Sequence, residues 1–223
     1  MATMDQTTSG QWPAAASGGE RVKRHGLLDR AYHWLMALCV LVLMATAFLP
    51  ILGLKFEWLD IHWMTGVALA ALVLIHIVRA LVFQDWRNMW IGLADLRELW
   101  RGIARLFGSS KPPLLPGKYD AAQKLYHLGV AVVVLAVIGT GLLMLLKIDT
   151  PFWRRNPYWF SADTWGVVYV IHGFAAMAIV AIVIVHLYFA LVPDSWYMLR
   201  AMVRGWISGK EYSQHHDPTR WKA

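Results

Sequence analysis

The sequence predicts an all-α integral membrane protein: a four-transmembrane-helix bundle with both termini on one side and an amphipathic helix on the membrane surface. Three observations predict it. Of the 223 residues 58% are hydrophobic and only 16% charged, against roughly 45–50% apolar in a soluble domain. Four stretches reach the roughly 20 apolar residues that a membrane-spanning helix needs. The basic residues that make up the formal charge of +7 also collect in alternate loops, so that charge is read as topology rather than as affinity for nucleic acid.

Taken in order, residues 1–24 are small and polar and lack the apolar core of a secretory signal. They read as a disordered cytoplasmic tail ending in Arg21, Lys23 and Arg24. Residues 25–210 form the membrane domain. Its spans cover about 34–53, 61–82, 125–146 and 165–192, the second carrying Arg79 near its end. Between the second and third spans, Trp86, Trp90, Leu93, Leu96, Trp100, Ile103 and Phe107 recur at three- and four-residue spacing, with Arg87, Asp95, Glu98, Arg101 and Arg105 on the opposite arc. That is an amphipathic helix over 86–107, lying on the cytoplasmic membrane surface or packed on a partner subunit. The run from Lys111 through Pro112, Pro113, Leu114, Leu115, Pro116 and Gly117 breaks the chain before the third span. Residues 211–223 are a cytoplasmic C-terminal tail. Four spans put both termini on one side. The opposite side holds only Lys55, Lys147, Arg154 and Arg155, so the termini are predicted to be cytoplasmic.

Nine histidines occur, and six lie in or beside spans: His33, His62, His76, His127, His172 and His186. An ionisable group in hydrocarbon is costly and points to function. His172 and His186 stand fourteen residues apart on the fourth span, close to four turns, so both face one side at levels about 21 Å apart. His62 and His76 repeat the spacing on the second span. Such an arrangement suits two haems stacked across a bilayer, each needing a second axial histidine from another helix. Depth pairs His62 with His172 at the outer level and His33 with His186 at the inner. His76 lies near the inner haem, as an alternative ligand, a propionate partner or a proton carrier, and His127 is read as a polar or quinone-proximal residue. Bis-imidazole ligation fills the iron and suits electron transfer. The glycines Gly66, Gly139, Gly141 and Gly173 suit close approach of haem or of another helix. His25, His215 and His216 lie outside the spans and are expected to be solvated. The single cysteine, Cys39, has no partner within the chain, and no Cys-x-x-Cys-His occurs, which excludes covalent haem attachment.

Several stretches resemble the cytochrome b (gamma) subunit of membrane-bound formate dehydrogenase, within the wider di-haem bacterial cytochromes b. They are Asp-Arg-Ala-Tyr-His-Trp at 29–34, His62 followed by Gly66, Gly-Lys-Tyr-Asp-Ala-Ala-Gln-Lys at 117–124, Ile-His-Gly at 171–173 and Ile-Val-His-Leu-Tyr at 184–188. The resemblance runs from about Arg24 to Trp221. It implies His33, His62, His172 and His186 as ligands of two haem b. It also implies a quinone site (menaquinone or ubiquinone) near the inner haem at Asp120, Ala122, Gln123 and His186. Asp120 and Ala122 stand where the family pattern has Asn and Gly. Asp120 is therefore read either as a quinone proton donor or as the cap of the third span. His76 stands where that pattern has an apolar residue.

The resemblance further implies an iron–sulfur subunit and a molybdenum- or tungsten-containing catalytic subunit as partners, in a bacterial cytoplasmic membrane. Electrons would run from iron–sulfur cluster to outer haem, inner haem and quinone. The chain itself has no site for formate chemistry. Competing readings are the cytochrome b of a nickel–iron hydrogenase or thiosulfate reductase-type complex, a stand-alone cytochrome b, and a haem-free proton-coupled transporter. The lack of Asp or Glu within the four apolar spans counts against the transporter. The Trp-rich outer loop (Trp153, Trp159, Trp165) offers contact surface.

Overall fold

The structure, a computed structural model, describes residues 20–83, 89–110 and 114–221. Its long helices are α1 (Leu27–Phe48), α2 (Trp58–Phe83), α4 (Ala121–Met144, continued by a 3-10 turn to Lys147) and α5 (Ala162–Leu191). All four are long and apolar enough to cross a membrane, with only 6–11% of each apolar window buried inside the protein. So much exposed apolar surface on every long helix suits lipid and not water. Helix α1 packs on α2 and α4 on α5, giving two helical hairpins that meet through α2 and α4.

The helices begin three to seven residues before the apolar spans, because polar caps rather than hydropathy set their starts. Asp29 accepts from the Gly26 amide at 3.0 Å at the head of α1. Asp120 accepts from the Gln123 amide at 2.7 Å at the head of α4. Ser161 caps α5 through the Thr164 amide. The first turns of α1, α2 and α5 thereby include Asp29, Asp60 and Asp163. At the other end, α1 stops at Phe48 and not at Gly53; Pro50 follows in a turn closed by Gly53 at φ 93°. Arg79 near the end of α2 pairs with Asp29 at the start of α1, closing that hairpin.

The central loop corrects an expected boundary. Its helix, α3, spans Leu93–Leu106 and not 86–107. Trp90 to Gly92 are not helical, and Trp86 and Arg87 lie outside the described residues. The start is set by Asp95, whose carboxylate takes the Gly92 amide at 2.8 Å. The polar arc of α3 turns toward the protein: Asp95 pairs with Lys124 at 2.9 Å and Glu98 with Arg220 at 3.2 Å. Glu98 also accepts from the Ala121 amide at the head of α4. Leu93, Leu96, Trp100 and Ile103 are left exposed.

Residues 20–24 and 211–221 are folded together, where tails were expected. Strand β1 (Arg21–Lys23) pairs antiparallel with β2 (Trp206–Ser208), Val22 opposite Ile207. The rest of the expected N-terminal tail, residues 1–19, lies outside the described residues. With α6 (Trp196–Arg204) and α7 (Gly209–His215) the strands form a cap. Tyr197, Ala201, Ile207, Tyr212 and Trp221 make its buried core. This cap, outside the spans, closes the end of the bundle that carries both termini (the terminus end). The other end, where α1 turns into α2 and α4 into α5, is the hairpin end.

Candidate functional site

Four of the span histidines meet in two pairs. His62 on α2 faces His172 on α5 at the hairpin end, ring centroids 6.4 Å apart and planes at 71°. His33 on α1 faces His186 on α5 at the terminus end, 6.1 Å apart at 51°. With a metal–nitrogen bond of about 2.0 Å and a centroid about 1.1 Å beyond the nitrogen, two trans imidazoles on one metal have centroids about 6.2 Å apart. Both pairs match that spacing. Among the described residues no group of three or more His, Cys, Asp or Glu could hold a metal ion. A pair of imidazoles therefore suits a metal whose other ligands come from a macrocycle, and the residues present fit a b-type haem.

At the hairpin end each ring has a hydroxyl behind it. Thr46 of α1 lies 2.8 Å from His62 Nδ1 and Thr140 of α4 lies 2.9 Å from His172 Nδ1. Each hydroxyl also donates back to its own helix, Thr46 to the Val42 carbonyl at 2.9 Å and Thr140 to the Ala136 carbonyl at 2.7 Å. Gly141 lies against the same site. A Cβ there would stand 3.3 Å from His172 Cε1, whereas one at Gly66 would only graze Leu43, and at Gly139 or Gly173 it would meet nothing within 4 Å. Close approach thus accounts for Gly141 among the four glycines. The sequence reading missed Thr46 and Thr140, because a threonine bonded to its own helix is ordinary in an apolar span.

At the terminus end, Tyr126 of α4 stacks beside His186, centroids 5.9 Å apart at 19°, and its hydroxyl donates to the Ile182 carbonyl. Among the described residues the rings beside His186 are those of His33 and Tyr126, and not that of His76. The charged neighbours of His76 are Arg79 and Asp29, and it interacts electrostatically with His127 of α4.

Residues 117–124 hold the head of α4 in place. Gly117 is required by packing, since a Cβ there would come within 2.4 Å of the Arg220 carbonyl oxygen. Asp120 and Gln123 cap α4 reciprocally, and Gln123 Nε2 also reaches Met198 Sδ at 3.1 Å. Lys124 is the ion-pair partner of Asp95. Ala122 is exposed. Asp120 thus takes the capping role that the sequence offered as one alternative.

Residues expected at the surface are wholly or partly inside. His216 is 3% exposed. Its Nδ1 donates to the Gly117 carbonyl at 2.7 Å, and its Nε2 takes a hydrogen from Arg24 Nη1 at 2.9 Å, so the ring is neutral. Burial, with Arg24 beside it, lowers its pKa to about 4. His25 is half-buried and lowered to about 4 by the same causes. Arg24 is itself buried, holding the Lys118 carbonyl with its other amino group. Trp165, expected in a contact surface, is 4% exposed and donates to the Pro157 carbonyl, while Trp159 remains exposed.

The family described as prokaryotic cytochrome b561 matches residues 24–205. Among curated relatives, the chain is 25% identical to the formate dehydrogenase cytochrome b556(fdo) subunit of Escherichia coli K12, over 91% of this chain and 92% of that one. It is also 25% identical to the formate dehydrogenase cytochrome b556 subunit of Haemophilus influenzae, over 92% and 84%. The nitrate-inducible cytochrome b556(Fdn) subunit of Escherichia coli K12 is 23% identical, over 92% of both chains.

Proposed function

The chain belongs to the prokaryotic cytochrome b561 family, and we propose that it is the membrane electron-transfer subunit of a formate dehydrogenase-type complex, carrying electrons from an iron–sulfur subunit through two b haems to membrane quinone. One observation carries this reading: the two cross-helix imidazole pairs, at opposite ends of the bundle, each spaced for one iron. When bound there, haem would supply a one-electron carrier, held by the two imidazoles of each pair.

The protein's own residues do the rest. His172 and His186, fourteen residues apart on one helix, fix two levels about 21 Å apart along the membrane normal, while α2 and α1 bring the facing imidazoles. The relatives are named as cytochrome b556 subunits of formate dehydrogenases, which supports assembly with a catalytic subunit; in the proposed complex that subunit contains molybdenum or tungsten, and an iron–sulfur subunit stands between it and this chain. Arg21, Lys23, Arg24 and Arg30 at the terminus end support a cytoplasmic position for both termini. The exposed apolar arc of α3, with its acidic residues turned inward, supports a helix lying in the cytoplasmic membrane surface. Quinone binds at that side, beside His186 and the head of α4 at Asp120, Ala122 and Gln123. Protons reach it from the cytoplasm, past the polar residues of the cap and the neighbouring His76 and His127.

A haem assay and a reduced-minus-oxidised spectrum of the purified membrane protein test the reading. Two b-type haems per chain are expected, both oxidised by added quinone after reduction. A colourless protein, fully folded, would sink it.

A further inference from the structure

The hydroxyls behind His62 and His172 have a chemical consequence. A threonine hydroxyl has one hydrogen and two lone pairs. In Thr46 the hydrogen is directed at the Val42 and Leu43 carbonyls, at 2.9 and 3.1 Å. In Thr140 it is directed at those of Ala136 and Val137, at 2.7 and 3.2 Å. What each hydroxyl can offer the imidazole is therefore a lone pair, so Nδ1 is the donor and carries the ring proton. With the proton on Nδ1, Nε2 is bare on both rings, and those are the nitrogens free to bind iron.

We infer that Thr46 and Thr140 are a matched pair of positioning residues that fix the tautomer and rotation of the hairpin-end ligands and set the potential of the haem between them. The device is built twice. In each hairpin the first helix supplies the threonine and the second the histidine, α1 to α2 and α4 to α5. Among the described residues neither His33 nor His186 has a side-chain hydrogen bond, so the device belongs to one end. A hydrogen bond from the distal ring nitrogen makes an imidazole a stronger donor to its metal, and this shell is a recognised control on potential. Stronger donation favours ferric iron, so the threonines hold the hairpin-end haem at a lower potential than bare imidazoles would. Electrons arriving at that end then pass on toward the terminus end more readily.

This inference rests on the ligand assignment proposed above, and the experiment separates the two. In the full-length protein in membranes, Thr46 and Thr140 are changed singly and together to valine, which keeps the branched shape, and to serine, which keeps the hydroxyl. Redox titration followed optically, with EPR of the oxidised haems, reads each haem. With valine, the hairpin-end haem is expected to move to a more positive potential with altered low-spin g values, further in the double variant, while the other haem stays where it was. Serine should restore the wild-type values. If valine destabilises the site enough to lose that haem alone and serine retains it, the role also stands. Valine variants with both haems and unmoved potentials overturn it, as do serine variants displaced as far as valine. His172→Ala that keeps two haems overturns the ligand assignment and this inference with it. His172→Ala that loses one haem, beside unmoved valine variants, overturns the threonine role alone.

Discussion

At the hairpin end of the bundle, His62 and His172 face each other with a threonine behind each ring and a glycine pressed against one of them. At the terminus end, His33 and His186 face each other without side-chain hydrogen bonds among the described residues, flanked by Trp34 and Tyr126 on the side closed by the cap. The two pairs differ by only 0.3 Å in ring separation, so the same spacing is reached by two means. One end holds its ligands through polar groups within the spans, beside an edge contact of Trp58 with His62. The other has aromatic packing alone among the described residues, on the side where the cap joins β1 to β2. A site held by hydrogen bonds in a low-dielectric setting depends on single atoms, whereas a packed site depends on shape.

The largest effects come from the ligands. His62→Ala and His172→Ala are each expected to halve the haem content, from two per chain to one, and to remove the same spectral component. His33→Ala and His186→Ala are expected to remove the other component. If a substitution at one end removed the component assigned to the other, the pairing would be wrong, and a pyridine haemochrome assay beside low-temperature spectra reads this directly. Changing His76 to Ala should leave both haems in place, since its neighbours are Arg79, Asp29 and His127 rather than a facing ligand.

Glycine gives the next effect. Gly141→Ala forces the His172 ring to move by a few tenths of an ångström, because the new Cβ would stand 3.3 Å from Cε1. A measurable change in the hairpin-end haem spectrum and reduced occupancy are expected. Gly173→Ala and Gly139→Ala, with nothing within 4 Å of the added carbon, should leave both haems as they are. Equal losses at all three positions would mean that helix packing, not approach to His172, explains these glycines.

These contrasts show what the sequence made legible. Four spans follow from composition, and the pairing of the four histidines follows from helix rise and span direction, because both are one-dimensional properties of a helix. The threonines were not legible: their role depends on which neighbouring helix they face and on where their hydroxyl hydrogen points. Nor was the cap. Val22, Ile207, Tyr212 and Trp221 lie in polar, charged segments, and they meet only once β1 pairs with β2 and α7 and the segment after it fold against the strands. Residues 117–124 stand out by resemblance, yet Gly117 and Lys124 serve the contacts to Arg220 and Asp95, partners remote in sequence.

A smaller effect separates the two uses of Asp120. Asp120→Asn keeps an oxygen for the Gln123 amide and should leave the fold unchanged, whereas Asp120→Ala removes the cap and costs about 1 kcal/mol at the head of α4. If Asp120 also passes a proton to quinone, Asp120→Asn slows quinone reduction with both haems intact. Unchanged quinone kinetics in the Asn variant, beside a destabilised Ala variant, would leave Asp120 as a cap alone.

The effect that touches the haems least is a pH dependence confined to the cap. His216 is buried and neutral, bonded to Gly117 and Arg24, with its pKa lowered from 6.5 to about 4. In the unfolded cap the ring would protonate near pH 6.5, while in the folded cap it resists until about pH 4. Between those values the unfolded state binds more protons, so stability is full above pH 6.5 and falls as the pH drops toward 4. The contribution is at most about 3 kcal/mol. Because the proposed haem ligands lie in the spans and not in the cap, haem spectra should stay constant while hydrogen exchange at residues 206–221 quickens across that window. His216→Gln should weaken the dependence, since an amide has no proton to gain, and leave the share that comes from His25, whose pKa is also lowered to about 4. If the haem at the terminus end changed in step with the exchange, the cap would be part of that site and the two ends would differ more than their ring spacing suggests.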